Sequence, residues 1–357
     1  MHVNYFVIFS LIVGIECAFF DYTDVFSDDL YQYWDKNARI VNQNRECRAD
    51  GDQQLVGVCK NIAECAWSGG VSRRSTTCGF LSQCCTHRQS CNGRTSAKVS
   101  YFTSNQQTAN SCDYTVQLMN RNICQLRLDF VQMNLEKPND NGQCANGSFS
   151  VVNFNNIPTI CGTNNGQHMY VHITGGQPNS VTLNIQNPTV SNSWLIKVTQ
   201  LYCPGTSILP LGLGQYRDMA QDFPMLAPPG CLQYNTGRTG NFSSFGYSSG
   251  DTSSKYSAGQ RYTICFKNPD PVRNQCMKFV LQEFNLAQDT FLFVVGGTTP
   301  ERLTGTGLTT NTFYTYPGIY SVYFQSAAPP NGIPIGQGFL ISYDTSGSAP
   351  NCGSSIA

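Results

Sequence analysis

The chain has 357 residues, no net formal charge and only 12% charged residues. Lys and Arg are scattered, with Arg73-Arg74 the one doublet, which argues against electrostatic capture of nucleic acid, heparin or an anionic membrane. Seventeen cysteines stand against four histidines, and no Cys-x-x-Cys pair of pairs occurs, so the cysteines point to disulfides in an oxidising compartment rather than to zinc.

Residues 1–18 have the form of a secretory signal. Tyr5 to Ile15 is apolar, and small Cys17 and Ala18 suit cleavage after Ala18. That run is about eleven residues, whereas a membrane-spanning helix needs about twenty. The expectation is a secreted, extracellular protein without membrane insertion or a lipid anchor. Residues 19–46 form an acidic, aromatic leader, with Asp24, Asp28, Asp29 and Asp35 around Tyr31, Tyr33 and Trp34. A short amphipathic helix and a disordered leader both fit it.

Residues 47–85 hold Cys47, Cys59, Cys65, Cys78, Cys84 and Cys85. So short a segment needs staples to stay folded. Adjacent Cys84 and Cys85 reach back to two different partners, because disulfide geometry strains a vicinal pair. Gly57-Val58-Cys59-Lys60-Asn61-Ile62 with Cys65, then Cys78-Gly79 and Cys84-Cys85, resembles the clip domains found in front of arthropod serine proteases. The resemblance implies the bonds Cys47–Cys84, Cys59–Cys78 and Cys65–Cys85.

Residues 91–203 read as short strands. Cys124, Leu126, Leu128 and Phe130 share one face, and Gln125, Arg127 and Asp129 the other. Met169, Val171 and Ile173 alternate, as do Val181, Leu183 and Ile185, and Trp194, Ile196 and Val198. Turn clusters such as Asn139-Asp140-Asn141-Gly142 separate them. Short alternating strands with such punctuation mean an all-β sandwich or barrel. Residues 204–230, rich in Pro and Gly, read as a semi-extended linker that limits domain motion without abolishing it.

Residues 231–352 repeat the pattern, and 353–357 form a tail. Arg121-Asn122-Ile123-Cys124 and Arg273-Asn274-Gln275-Cys276 align the two copies. Cys91 then matches Cys231, Cys112 matches Cys265, and Cys203 matches Cys352. Cys144 and Cys161 are left over and most simply pair with each other. The expected set is Cys91–Cys112, Cys124–Cys203, Cys144–Cys161, Cys231–Cys265 and Cys276–Cys352.

Cys112-Asp113-Tyr114-Thr115-Val116, Leu126 to Phe130 and Pro158-Thr159-Ile160-Cys161-Gly162 resemble the CUB domain in its arthropod secreted form. Pro229-Gly230-Cys231-Leu232-Gln233-Tyr234 with Thr239-Gly240 resembles the start of a second one. The resemblance implies two tandem jelly-roll-type antiparallel sandwiches behind the small disulfide unit, binding another extracellular molecule.

No catalytic residue is expected. Gly250-Asp251-Thr252-Ser253 only grazes a protease nucleophile loop, and His87, His168 and His172 lack a protease context. His168 and His172 lie on an alternating segment, so four residues separate them by roughly 13 Å, too far for one zinc; an exposed strand face is the expectation. Glu136 and Asp289 are weak calcium candidates without a complete carboxylate set, so no metal or cofactor is expected. Asn146-Gly147-Ser148 and Asn241-Phe242-Ser243 are glycan sequons in turn-rich segments. Tyr314, Tyr316, Tyr320 and Tyr323 fit either strand packing or a contact surface. The sequence expectation is a non-catalytic module recognising an extracellular protein or glycan through sandwich loops. The alternative is a non-catalytic regulator or adaptor of a serine-protease cascade acting through the clip-like unit. Oligomeric state stays open.

Overall fold

The computed structural model describes residues 46–50, 52–79, 81–104, 110–174, 178–203, 220–269, 275–296, 299–306, 311–327 and 335–345. The signal, most of the leader and the tail lie outside them. The described chain is nearly all β. Among its residues no helix is long and apolar enough to cross a membrane.

The N-terminal knot comprises β1 (Glu46–Ala49), β2 (Asp52–Lys60), helix α1 (Ile62–Trp67), β3 (Val71–Arg73) and β4 (Gln83–Thr86), with sheet order β1-β2-β4-β3. Asn61 caps α1, its Oδ1 accepting from the Glu64 amide at 2.7 Å. The knot is not a free appendage. Leu55 and Val58 pack against Val99, Tyr101 and Leu195, and the Tyr101 hydroxyl accepts from the Val56 amide.

The first sandwich contains β5 (Arg88–Gln89), β6 (Gly93–Thr95), β7 (Val99–Thr103), β8 (Ser111–Gln117), β9 (Ile123–Asn134), β10 (Ser148–Val151), β11 (His168–His172), β12 (Ser180–Gln186) and β13 (Ser193–Tyr202). Its sheets are ordered β10-β12-β8-β6 and β11-β9-β13-β7-β5. Alternation supplies each inner face: Tyr114, Val116, Leu183 and Phe149 from one sheet meet Leu128, Phe130, Ile196 and Phe102 from the other. Phe102 stacks on Tyr114 at 5.1 Å and Phe130 meets Phe149 edge-on at 5.7 Å.

The second sandwich contains β14 (Cys231–Asn235), β15 (Thr239–Ser243), β16 (Arg261–Phe266), β17 (Lys278–Asn285), β18 (Phe291–Gly296), β19 (Thr299–Leu303), β20 (Thr312–Tyr314), β21 (Ser321–Gln325) and β22 (Gly338–Asp344). Its sheets are ordered β14-β16-β21-β18-β19 and β15-β22-β17-β20. Strand for strand this is the first sandwich again: β6-β8-β12-β10 corresponds to β14-β16-β21-β18, and β7-β13-β9-β11 to β15-β22-β17-β20. Even the parallel pairing of β6 with β8 recurs in β14 with β16. The second core is more aromatic, with Phe242 in ring contact with Phe266, Phe279 and Phe339.

The described part of the expected linker is not a spacer. Ala220 to Gly230 packs on the first sandwich. The Asp222 carboxylate is buried, accepts from the Tyr202 amide at 3.0 Å and pairs with Lys98 at 3.0 Å. Residues 204–219 lie outside the described residues.

Candidate functional site

Disulfides organise the frame. In the knot Cys47 is bonded to Cys84, Cys59 to Cys78 and Cys65 to Cys85. In the first sandwich Cys91 is bonded to Cys112, Cys124 to Cys203 and Cys144 to Cys161. In the second Cys231 is bonded to Cys265. Cys276 is also in a disulfide, and its expected partner Cys352 lies outside the described residues. The sulfurs of Cys47, Cys59 and Cys78 cluster within 4.8 Å, but all three are spent in disulfides and offer no thiolate to a metal.

His87 is buried in the knot with its Nε2 3.0 Å from Ser68 Oγ. Ser68 Oγ also lies 2.9 Å from the Cys65 carbonyl, which takes its hydroxyl proton in the tautomer that carries a proton on His87 Nε2. Burial, helped by Lys60, pushes His87 down to about 4, keeping it neutral.

His168 and His172 are not on an exposed face. They sit at the two ends of β11, on the face away from the core, and that face is covered by β14 of the second sandwich. His168 Nε2 accepts from the Tyr234 amide at 2.9 Å. His172 Nε2 donates to the Cys231 carbonyl at 2.8 Å, while its Nδ1 meets Gln125 Nε2 at 3.4 Å. Two sheet edges therefore run side by side in opposite directions, tied by imidazoles in place of a backbone ladder. Between them Tyr170 is fully buried; its hydroxyl donates to the Met225 carbonyl at 2.8 Å and accepts from Arg127 at 3.1 Å. Burial, with Arg127 adding to it, pushes His168 down to about 4 despite Asp129 nearby.

This seam extends across both units. Gln125 clasps the backbone of Ala227 twice, its Nε2 donating to the carbonyl at 2.7 Å and its Oε1 accepting from the amide at 3.0 Å. Buried Asn164 accepts from the Gly246 amide at 2.8 Å and donates to the Cys161 and Gly162 carbonyls. Gly246 has φ of 81°, and a Cβ there would lie 2.4 Å from the Lys255 carbonyl oxygen, so the close approach demands glycine. Phe130 meets Phe245 edge-on, Lys137 pairs with Asp251 at 2.6 Å, and Lys255 pairs with Asp140. The sequence reading missed the seam because its partners are far apart along the chain. One signal was available: His168, Tyr170 and His172 share the supposedly wet face of β11, three rings where solvent-facing polar residues are usual.

Glu136 is exposed; its Oε1 accepts from Ser191 at 3.0 Å and Thr189 at 3.3 Å. Asp289 is exposed as well. Among the described residues neither belongs to a group of three ligand atoms close enough to share an ion. Asn146 is exposed on a turn. Asn241 is exposed but lies within strand β15, not in a turn, since that stretch pairs with β22. Tyr316 is 52% exposed, whereas Tyr314, Tyr320 and Tyr323 are half-buried.

The Animal CUB domain family model matches residues 228–291, which covers β14 to β17 of the second sandwich. No curated protein matches the chain. Among solved structures, the CUB1-EGF-CUB2 domains of rat MASP-1 are similar at 10% identity and a TM-score of 0.23, covering 72% of this chain and 100% of that one. The CUB1-EGF-CUB2 domain of human MASP-1/3 is similar at 11% identity and a TM-score of 0.25, covering 69% and 99%. The full extracellular region of zebrafish Gpr126/Adgrg6 is similar at 14% identity and a TM-score of 0.26, covering 75% of this chain and 35% of that one.

Proposed function

We propose that this chain is an extracellular, non-catalytic binding protein that recognises another protein or a glycan through the loops of its sandwiches. The observation that carries the reading is the Animal CUB domain match at 228–291, set in a disulfide-bonded β-sandwich. A stapled sandwich holds loops rigidly at its ends, where a partner can select on their sequence at little ordering cost. The non-catalytic half rests on the same match, because the CUB family is generally non-catalytic.

A second reading has its own support. Ile62, Trp67, Val71 and Leu81 of the knot are exposed by 60%, 86%, 56% and 81%. Large apolar side chains held out of a small disulfide unit favour a protein-docking role there, as expected of a cascade regulator acting through the clip-like unit. Cross-linking of the intact chain in extracellular fluid, followed by mass spectrometry, separates the two. The first reading expects cross-links on the sandwich loops, and capture unchanged in a Trp67→Ala, Leu81→Ser variant. Loss of capture in that variant overturns it in favour of the knot. Both substitutions are at exposed sites and should change stability by no more than about 0.5 kcal/mol.

A further inference from the structure

The knot is the smallest unit of the described chain, yet it holds four of the ten large apolar side chains that the described residues leave exposed. These four, Ile62, Trp67, Val71 and Leu81, lie along helix α1. Lys60 opposite Gln83 ends the β2–β4 ladder, and Ile62 and Leu81 leave it at that same end. Cys65, bonded to Cys85, pins α1 onto β4. The Gly69 amide donates to the Ala66 carbonyl and the Gly70 amide to the Cys65 carbonyl, so the chain turns at once from Trp67 into Val71 of β3. Six helical residues span about 9 Å, so the four side chains form one short strip. Arg73 shares the Val71 side of β3, and with Arg74 it gives the strip an exposed cationic edge; Glu64 is the one carboxylate on α1.

One segment of this same chain has the complementary pattern. In the leader, Phe19, Tyr22, Phe26, Leu30 and Tyr33 recur at spacings of three and four, the period of a single helix face. Asp21, Asp24, Asp28 and Asp35 fall on the opposite side, and residues 19–35 contain five Asp and no Lys or Arg. Such a stripe needs a surface to bury itself against, because an isolated helix of its length is marginal in water. The leader runs into Glu46, the first residue of β1, which belongs to the same sheet as β2, β4 and β3. The intervening residues 36–45 reach up to about 33 Å when extended. That exceeds the three strand spacings, about 4.8 Å each, that separate β1 from β3.

We propose that residues 19–35 fold back on their own knot, burying the aromatic stripe on Ile62, Trp67, Val71 and Leu81 while the aspartates are drawn to Arg73 and Arg74. Tethering makes the docking intramolecular, at an effective concentration of about millimolar, so a weak contact suffices. The proposal rests on the same strip as the second reading of function and deepens it: a protein that docks on the knot must first displace the leader. The two fail separately. Absence of such a partner leaves the docked leader untouched, and an undocked leader leaves the strip open to a partner.

The test is hydrogen exchange of the full chain, read by mass spectrometry, with a synthetic peptide of residues 19–35 as reference. The expected result is exchange in that segment slower in the chain than in the peptide by at least on the order of tenfold. Trp67→Ala with Leu81→Ser should return it to the peptide rate, while the amides of β9 stay unchanged as the control for folding. The reciprocal variant, Phe26→Ser with Leu30→Ser, leaves the knot sequence intact and serves if the first misfolds. Radical footprinting should label Trp67 faster in it than in the wild-type chain. Exchange at the peptide rate in the wild-type chain overturns the proposal. Slow exchange that survives Trp67→Ala with Leu81→Ser puts the leader elsewhere and overturns it too. Slowing that grows with protein concentration shows docking between copies and overturns the intramolecular form. Unchanged Trp67 labelling in the reciprocal variant shows that the leader does not cover the strip, and overturns it likewise.

Discussion

His168 accepts a hydrogen bond through the same nitrogen that a second proton would occupy. Its partner is the Tyr234 amide, so a proton on Nε2 would set donor against donor across the seam. Arg127 sits on the disfavouring side and Asp129 on the favouring side, and burial decides the balance. The folded-state value of about 4 lies below the ordinary 6.5, so between those values the unfolded chain binds the proton first. Stability from this residue is therefore complete above pH 6.5 and is lost as pH falls through about 4. His87 titrates over the same window in the knot, so a local readout is needed. The hydrogen-exchange protection factor of the Tyr234 amide, corrected for intrinsic rates, should drop between pH 6.5 and 4 and stay level in His168→Gln. A level profile in the wild-type protein would show that the ring does not hold the amide.

At the scale of elements, strand β9 shows how far the sequence could be read. Its alternation locates the core face, and Leu126, Leu128 and Phe130 are fully buried as that pattern requires. The same pattern puts Gln125 in water, yet it is buried because it clasps Ala227, 102 positions away. Alternation reports which face meets the strand's own core. It carries nothing about a neighbour covering the other face, which is why β11 and Gln125 were misread while the sandwich itself was legible. Asn241 was misplaced for a related reason, since Gly and Asn mark turns locally but pairing with β22 overrides them. The exposed apolar residues of the knot have no periodic signature, so only the folded unit reveals them. Disulfide spacing is more informative because covalent bonds connect elements that alternation cannot. Cys124–Cys203 closes a loop of 79 positions between the start of β9 and the end of β13. Replacing both cysteines with alanine should lower unfolding free energy by about 4 kcal/mol, read from the midpoint of a urea transition.

At the scale of the molecule, the two sandwiches share one buried cluster and a continuous polar seam, and the knot is docked on β7. Units that expose this much paired surface on separating do not melt independently. Calorimetry should give a single transition for both sandwiches, and two resolved transitions would show that the seam contributes little. This rigidity also bears on recognition. The seam holds the described surfaces of both sandwiches in one arrangement, so a partner that touched both would gain from pre-alignment without waiting for the domains to find each other.

The seam joins unlike edges, β11 of the first repeat to β14 of the second. A head-to-tail join of this sort can be extended indefinitely, one molecule adding to the next, unless something stops it. Here the stop lies in the outermost strands. The counterpart of β11 in the second repeat is β20, three residues reading Thr312-Phe313-Tyr314, with neither imidazole. The counterpart of β14 in the first is β6, also three residues. Neither stub offers the length or the side-chain ties that a further copy would need, so sedimentation should show a lone particle with no ladder of higher species.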